Sequence, residues 1–380
     1  MVPMESARRI HPMAEKTKAR TAPPPTTGDI KTLLELVGRY CRQTPPAQVA
    51  APEGEALPSI TAGDIAGWFR RGRYFKLREH AIGGMARIYH AIDLHLCREV
   101  AYKTTAPDST PLTQARFLYE AQVTARLQHP NIIPVYDCGQ DPENGQPFFS
   151  MKMVRGRSAL DMIVGLRRRN ATVRRACGSL TERLNIFLKA ADAVAYAHHL
   201  GILHRDLKPA NILIGDHGEV YVIDWGIAQI RAGKEHLCFP ECPGSNESEK
   251  CLAAFLRRFH HDNATPEHLF LGSPVHMAPE QFTQETRVDE RADIYGLGCT
   301  LYEMIGLHPP FDPHLPLDQM LALKRRAKFP PLWKLVPAIR YDLAEIVHRC
   351  LDPRRSRRFR SVHQLQDAIK DFIRNLGPSP

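Results

Sequence analysis

The sequence predicts an α+β fold, because strand-like segments that begin at residue 74 are followed by longer helical segments. Residues 74–78, 88–91 and 100–103 have the composition of short strands. Residues 180–199 instead repeat apolar residues at helical spacing, so that one face carries Leu184, Phe187, Leu188, Ala191, Val194 and Ala195. With 43% hydrophobic residues, the chain has enough apolar side chains for a sizeable core.

Composition also bears on location and partners. No run of 18 uncharged apolar residues occurs, and the N-terminus lacks the apolar stretch of a signal peptide, so we expect no membrane span and no export. The nine cysteines are scattered and odd in number, which favours reduced thiols and a cytoplasmic location. The net charge of +10 comes without a nucleic-acid-binding motif, and we therefore expect no nucleic-acid partner.

The region before residue 74 divides into two parts. Residues 1–27 are rich in proline, threonine, alanine and charged residues, which predicts a disordered tail. Residues 28–73 predict a helical extension, with helices near 29–37 and 61–71 that begin at Asp29 and Thr61. Two interpretations of this extension stay open: it packs on the domain that follows, or it forms a small docking module.

Four polar residues further along point to one chemistry. Asp206, Lys208 and Asn211 fall within one short loop, and Asp224 follows a strand-like stretch 18 residues after Asp206. Phosphoryl transfer to an alcohol requires a carboxylate for the hydroxyl proton, a cation near the moving phosphoryl group and ligands for Mg²⁺. The loop offers these groups: Asp206 as the carboxylate, Lys208 as the cation and Asn211 as an amide that can bind the metal ion.

These residues lie in the pattern H-R-D-L-K-P-x-N followed by D-W-G, which resembles the protein kinase family and especially its bacterial eukaryotic-like serine/threonine members. The resemblance extends over residues 74–375. It implies a two-lobed fold, with an N-lobe (74–152) of a small antiparallel sheet plus one helix and a larger, mostly helical C-lobe (155–375). It also implies phosphorylation of serine or threonine on protein substrates with ATP and Mg²⁺, and autophosphorylation through self-association. In this family pattern Asp206 and Lys208 are the catalytic residues, and Asn211 and Asp224 are the Mg²⁺ ligands.

The resemblance assigns the ATP contacts mainly to the N-lobe. The glycine-rich phosphate lid is degraded, because Ala81 and Ala86 stand where the pattern G-x-G-x-x-G has glycine and only Gly83 is kept. Lys103 would contact the α- and β-phosphates, with Glu120 as its ion-pair partner. The other predicted ATP-binding residues are Ala81, Ile82, Gly83, Gly84, Ile88, Ala101, Met151, Lys152, Val154 and Leu213. Asp161 has two open interpretations, a ribose contact or a helix cap.

The family pattern also implies contacts in the C-lobe. The Ser273 hydroxyl is expected to bond Asp206 and Lys208, as in members that modify serine and threonine. Three structural roles are also expected: a pair between Glu280 and Arg358, support of the catalytic-loop backbone by a buried Asp293, and support of the same loop by His204 rather than metal binding.

Two further segments read as exposed insertions. Residues 167–177 are basic and aperiodic, and residues 231–271 lengthen the segment between Asp224 and Glu280. The longer insert allows a phosphorylation site at Ser245 or Ser248. The resemblance implies that the Arg205 side chain would then bind the phosphate group of that serine. It also has an amphipathic pattern at 251–259. A zinc site is a weaker alternative, because the spacing of its candidate ligands is irregular: His236, Cys238, Cys242, Cys251, His260 and His261.

Two rival functions remain. A pseudokinase, which keeps the fold as an ATP-binding scaffold without turnover, is favoured by the lost glycines at positions 81 and 86. The intact set of polar residues at the predicted site opposes it. A kinase-fold enzyme acting on a small molecule is the second rival, and residues 272–281 argue against it because they resemble the peptide-supporting stretch of protein kinases.

Overall fold

The computed structural model of this chain describes residues 72–82, 86–231, 273–282 and 288–376. The predicted tail lies outside these residues, as do all but residues 72–73 of the helical extension and almost all of the 231–271 insert. The helices, zinc ligands and phosphorylation sites expected there stay predictions. Within the described residues, a strand-rich part is followed by a helix-rich part, so the expected two-lobed α+β fold is confirmed.

The first lobe is a five-stranded antiparallel sheet with the strand order β1-β2-β3-β5-β4. Its strands are β1 (Tyr74–Ile82), β2 (Ala86–Asp93), β3 (Arg98–Thr105), β4 (Val135–Gln140) and β5 (Pro147–Lys152). One helix, α1 (Pro111–Arg126), lies between β3 and β4 in the chain. The helix begins here because the Thr110 side chain accepts the Thr113 N–H, while Pro111 occupies a first-turn position that needs no donor.

The pleat of this sheet separates an outer face from a face that packs on α1. Successive side chains of a strand point to opposite faces. The outer cluster includes Val100 and Tyr102 of β3, whereas Phe149 of β5 packs with Phe117 and Ala121 of α1. Lys103 follows Tyr102 and therefore lies on the α1 face, which is where its expected partner is found.

The second lobe contains eight of the described helices: α2 (Ala159–Arg167), α3 (Ala171–Cys177), α4 (Leu180–His199), α5 (Glu290–Gly306), α6 (Leu317–Arg325), α7 (Leu332–Leu335), α8 (Tyr341–Cys350) and α9 (Val362–Arg374). Helix α5 forms the centre, since every residue from 292 to 306 is buried. A helix that is buried on all sides needs no polar face. None of the helices in the described ranges is long and apolar enough to cross a membrane.

Short strands carry the loops that face the first lobe. The strands β6 (Gly156–Ser158), β8 (Ile212–Gly215) and β9 (Val220–Val222) form one antiparallel sheet, and β7 (Ile202–Leu203) pairs with β10 (Gln229–Ile230). Residues 131–133 join the lobes, because the Val222 N–H donates to the Asn131 carbonyl at 2.8 Å and Ile132 forms a parallel bridge with Val222.

The expectation that residues 167–177 form an exposed insertion was wrong in part. Residues Ala171–Cys177 form helix α3, which begins at an Asn170 cap and buries Val173 and Cys177. These two residues are four apart and therefore share one helix face. Two apolar residues among several arginines are too short a pattern to predict a helix from the sequence. Asp161 has a capping role but is not the N-cap itself: Ser158 is the N-cap residue, and the Asp161 carboxylate completes its capping box at the start of α2. The ribose contact of Asp161 stays a prediction.

A buried ion pair fastens the end of the described 273–282 segment to the helical lobe. Arg358 donates two hydrogen bonds to the Glu280 carboxylate, at 2.6 and 2.9 Å, and the Arg358 side chain is fully buried. The predicted pair is thus confirmed.

We predict that Glu280→Ala lowers the free energy of unfolding by about 3–5 kcal/mol, because it leaves the buried Arg358 guanidinium without its counterion. The matched control is Asp342→Ala, which removes the exposed partner of Arg340 and should cost less than about 1 kcal/mol. Urea unfolding of both variants measures the difference. Equal losses in the two variants would contradict the assignment.

Candidate functional site

One buried carboxylate holds the backbone of the loop that carries Asp206. Asp293 on α5 accepts the His204 and Arg205 N–H groups, each at 2.8 Å, and the His198 Nε2–H at 2.7 Å. Burial alone would raise the pKa of Asp293, but these hydrogen bonds and the charge of His198 outweigh it and hold the pKa below its ordinary value. The carboxylate is therefore ionised, and the expected anchoring of the loop is confirmed.

The His204 side chain connects the loop to the backbone beside Asp224. Its Nδ1 accepts the Asp206 N–H at 3.2 Å, so in the neutral ring Nε2 carries the proton and donates to the Ile223 carbonyl at 3.1 Å. The ring is fully buried, and its centroid lies 4.5 Å from that of Trp225. His204 therefore has the structural role expected of it.

Two residues at this site have left-handed backbones. Arg205 has φ +68° and Asp224 has φ +67°, a region that non-glycine residues rarely occupy and that costs free energy. Hydrogen bonds to the adjoining peptides hold both in place, through Asp293 for Arg205 and through His204 for the Ile223–Asp224 peptide. Arg205 Nε is buried and has no hydrogen-bond partner within the described ranges.

The Asp206 carboxylate accepts hydrogen bonds at both oxygens. The Ser273 N–H donates to Oδ1 at 3.0 Å, whereas Lys208 Nζ donates to Oδ2 at 2.6 Å. The expectation for Ser273 therefore needs correction, because its backbone N–H contacts Asp206 and its hydroxyl lies 3.4 Å from His276 Nδ1. The turn at residues 273–276 aims the peptide at the carboxylate and turns the side chain towards the imidazole.

Asn211 and Asp224 present oxygen atoms that suit Mg²⁺. Asn211 Nδ2 donates to the carbonyl and to Oδ2 of Asp206, at 2.8 and 3.2 Å, which leaves the Asn211 amide oxygen as an acceptor. The Ile223 N–H donates to the Asn211 carbonyl at 3.0 Å, which brings Asn211 near the exposed Asp224. Mg²⁺ prefers oxygen ligands and usually takes only one or two carboxylates from the protein. This donor set therefore fits Mg²⁺.

The predicted ion pair between Lys103 and Glu120 is present. Lys103 Nζ lies 2.5 and 2.8 Å from the two carboxylate oxygens of Glu120. Burial lowers the pKa of Lys103, but the charges of Glu120 and Asp224 outweigh it, and the pKa is raised above its ordinary value. Lys103 is therefore a fixed cation, held by α1 and influenced by Asp224 in the other lobe.

Most residues with predicted adenine contacts lie on paired strands near Lys103. In the sheet register Ile88 is opposite Lys103, and Ala101 is opposite Met151. Lys152 ends β5, and Val154 follows it in the segment that leads into the second lobe. Leu213 lies on β8, and Ala81 pairs with Ile88 at the end of β1. Gly83, Gly84 and the Ile82 side chain lie outside what the structure describes, so the lid contacts stay predictions.

Sequence reasoning missed Tyr119, which connects α1 to the segment after Asp224. Its hydroxyl donates to the Ala228 carbonyl at 2.9 Å, and the side chain is 1% exposed. Tyr119 precedes Glu120 in the helix, so this bond helps to hold the Lys103 partner in position. A tyrosine whose acceptor is a carbonyl 109 residues away leaves no pattern in the sequence.

Lys324 on α6 was also missed. Its fully buried Nζ donates to the Val275 and Met277 carbonyls, at 2.7 and 2.9 Å, so it clamps the segment that begins at Ser273. The ammonium has no carboxylate partner within the described ranges and lies near the rings of Tyr295 and Phe311, 4.9 and 4.5 Å from their centroids. Burial lowers the pKa of Lys324 to about 8.

Comparisons with known proteins match most of this chain to one family. The family model described as "Protein kinase domain" matches residues 76–369. The serine/threonine-protein kinase PknD of Protochlamydia amoebophila is 31% identical over 299 residues, which are 77% of this chain and 29% of the relative. The DNA damage-responsive serine/threonine-protein kinase RqkA of Deinococcus radiodurans is 35% identical over 240 residues, which are 63% of this chain and 30% of that relative.

A solved structure has the same fold. The crystal structure of the Mycobacterium tuberculosis PknI kinase domain aligns with a TM-score of 0.54 and 24% sequence identity, covering 79% of this chain and 96% of that chain. This chain spans about 30% of the length of the curated relatives above.

We predict that Tyr119→Phe lowers the free energy of unfolding by about 1 kcal/mol, the usual worth of one buried hydrogen bond. It should also reduce the hydrogen-exchange protection of α1, because the helix loses its bond to Ala228. Tyr136→Phe on β4 is the control, since its hydroxyl bonds no described residue. Unchanged protection of α1 in Tyr119→Phe would contradict the assigned role.

A pH dependence follows from the buried Lys324. Between pH 8 and the ordinary lysine value of 10.5, the folded protein has lost the Lys324 proton while the unfolded chain keeps it. The unfolded state then binds more protons, so this site makes stability rise with pH across that window. We expect the wild type to gain stability relative to Lys324→Met between pH 8 and 10, measured by urea unfolding. Lys328→Met, at an exposed position, is the control. A difference in the free energy of unfolding between the wild type and Lys324→Met that stays constant from pH 8 to 10 would refute this prediction.

Proposed function

This chain belongs to the protein kinase domain family, and from that membership we propose that it transfers the γ-phosphoryl group of ATP to serine and threonine hydroxyls of protein substrates. The observation that carries the proposal is the arrangement around Asp206. Ser273 and Lys208 orient its carboxylate by hydrogen bonds. Asn211 donates to the same carboxylate and accepts the N–H of Ile223, the residue before Asp224. Base, cation and metal ligands thus share one loop cluster, as phosphoryl transfer requires.

We assign the chemical step to Asp206 and Lys208. The substrate hydroxyl oxygen attacks the γ-phosphorus, and the bond from that phosphorus to the β–γ bridging oxygen breaks, which releases ADP. The hydroxyl proton passes to the Asp206 carboxylate as the new oxygen–phosphorus bond forms. Lys208, whose Nζ is 2.6 Å from Asp206, offsets negative charge on the transferred group.

We assign ATP binding to the face of the sheet that carries Lys103. Lys103 would contact the α- and β-phosphates, and Glu120 fixes the position of its ammonium. Asn211 and Asp224 would hold Mg²⁺, which neutralises charge on the phosphate oxygens when it is bound. The adenine ring would contact the side chains of Ile88, Ala101, Met151 and Leu213, and the backbone of Lys152 and Val154. Ala81, Ile82, Gly83 and Gly84 would cover the phosphates.

Serine and threonine are the proposed acceptors for two reasons. The curated relatives are named serine/threonine-protein kinases, and the stretch from Ser273 to Gln281 resembles that of serine/threonine-directed members. We extend the proposal to the domain bounds, with the catalytic domain at 74–375. We also propose autophosphorylation between two copies, detected as transfer from active protein to a tagged Asp206→Asn copy.

Nothing in the described geometry favours the pseudokinase alternative. Lys103 and Glu120 are paired, and Asp206 is hydrogen-bonded at both carboxylate oxygens. The feature that supported this alternative, the loss of lid glycines, falls beside residues 83–85, which the structure does not describe.

The test is transfer of labelled phosphate from ATP, with Mg²⁺ present, to a generic serine/threonine substrate. We expect incorporation by the wild type and a fall in kcat of roughly 10²–10⁴-fold in Asp206→Asn, because the amide cannot accept the hydroxyl proton. Asp216→Asn is the matched control, since Asp216 is exposed on the loop between β8 and β9. It should keep wild-type activity.

The contrary results are distinct. ATP binding without transfer in the wild type would support the scaffold alternative. Transfer that survives in Asp206→Asn would remove Asp206 from the chemical step. Transfer to tyrosine alone would overturn the proposed serine and threonine specificity.

A further inference from the structure

A basic cavity lies in the helical lobe, at the N-terminal end of α4. It has a volume of about 450 Å³. Its lining includes three arginines from three successive parts of the chain: Arg169 after α2, Arg174 on α3 and Arg183 on α4. Leu166, Gly178 and Leu307 complete the lining. Helix α3, which the sequence did not predict, supplies one wall.

The charge around this cavity is strongly unbalanced. Residues 166–183 contain six arginines and one acidic residue, Glu182. The Glu182 carboxylate accepts the Ser179 N–H and completes the capping box of α4, so it is already engaged in holding the helix end. Within the part of the chain that the structure describes, no acidic side chain lines the cavity and none of its three arginines forms an ion pair.

Arg183 is held in place without being neutralised. Its Nη1 donates to the Met304 and Ile305 carbonyls at the end of α5, at 2.7 and 3.4 Å, and its Nε donates to the Ser179 carbonyl at 3.3 Å. The helix-end carbonyls and the nearby charge of Glu182 offset part of the guanidinium charge, but no described carboxylate forms an ion pair with Arg183. Burial lowers the pKa of Arg183, which expresses the cost of keeping this cation out of water. A bound anion would remove that cost.

We propose that this cavity binds the phosphoryl group of a phosphorylated serine or threonine in a protein segment. A phosphate monoester carries nearly two negative charges and three strong acceptor oxygens, so it can be shared among three arginines. A carboxylate offers one charge and two oxygens, and it matches a single guanidinium better. The planar guanidinium with several donors is the side chain that suits phosphate recognition.

The cavity is remote from the catalytic loop, which makes it a docking site rather than part of the chemistry. Arg183 and the end of α4 at His199 are 16 residues apart, roughly 24 Å at 1.5 Å per residue, and Asp206 lies beyond that end. A phosphorylated segment bound here would tether its protein to the helical lobe. This inference goes beyond the proposed kinase activity, and its test needs no phosphoryl transfer.

The experiment is a fluorescence-anisotropy titration of the full chain with a short labelled peptide that carries one phosphoserine among glycine and alanine residues. Three other probes separate the sources of binding: the same peptide with serine, the same peptide with glutamate, and inorganic phosphate as a competitor. The variant is Arg169→Gln with Arg174→Gln, both exposed positions. Its matched control, Arg168→Gln with Arg175→Gln, removes the same charge from exposed residues that do not line the cavity.

We expect the phosphoserine peptide to bind the wild type and the control alike, and to lose at least tenfold in affinity in the variant. Arg183→Gln should cause a similar loss, and circular dichroism reports whether that variant folds. Transfer to a generic substrate should stay unchanged in Arg169→Gln with Arg174→Gln, because the cavity is far from Asp206.

Several results would overturn the proposal. Equal weakening in variant and control would mean non-specific attraction to basic surface. Equal binding of the glutamate peptide would assign the site to carboxylates instead. Binding of inorganic phosphate to the cavity without binding of the phosphoserine peptide would mean that the cavity takes the free ion only.

Discussion

The geometry of the site depends on the buried carboxylate of Asp293. It sits on α5, the helix at the centre of the larger lobe, and it accepts two successive backbone N–H groups of the catalytic loop. A loop that contains a left-handed Arg205 would relax if these bonds were absent, because that conformation is unfavourable for a side-chain-bearing residue. The hydrogen bonds to Asp293 on the rigid helix therefore offset the strain of the loop that presents Asp206.

The same anchoring extends to the smaller lobe through a short series of contacts. His204 ties Asp206 to the peptide before Asp224, and Tyr119 ties the following segment to α1. Helix α1 carries Glu120, which holds Lys103 against the sheet. Each contact is a hydrogen bond or ion pair between groups that are mostly buried, which strengthens it relative to the same contact in water. The residues proposed to bind ATP and those proposed to act on the hydroxyl are thus connected physically.

Sequence reasoning predicted the fold and the polar residues of the site, because those residues are adjacent in the chain or lie in a dense motif. It missed contacts whose partners are far apart, such as the Tyr119 hydroxyl with the Ala228 carbonyl, since a backbone acceptor has no residue type. It could not distinguish Lys324 from the neighbouring basic residues of α6, because burial is a property of the packed fold. For Ser273 it predicted the position but assigned the contact to the hydroxyl instead of the N–H.

The most direct test of this account is the Asp293→Asn variant, in which an amide replaces the carboxylate that accepts both loop N–H groups. We expect the amides of residues 204–206 to exchange with solvent faster than in the wild type, and kcat to fall while the KM for ATP changes little. A fall in kcat with little change in the KM for ATP would show that Asp293 positions Asp206 and does not contribute to ATP binding. Wild-type kcat and unchanged exchange in this variant would contradict the claim that the site depends on Asp293.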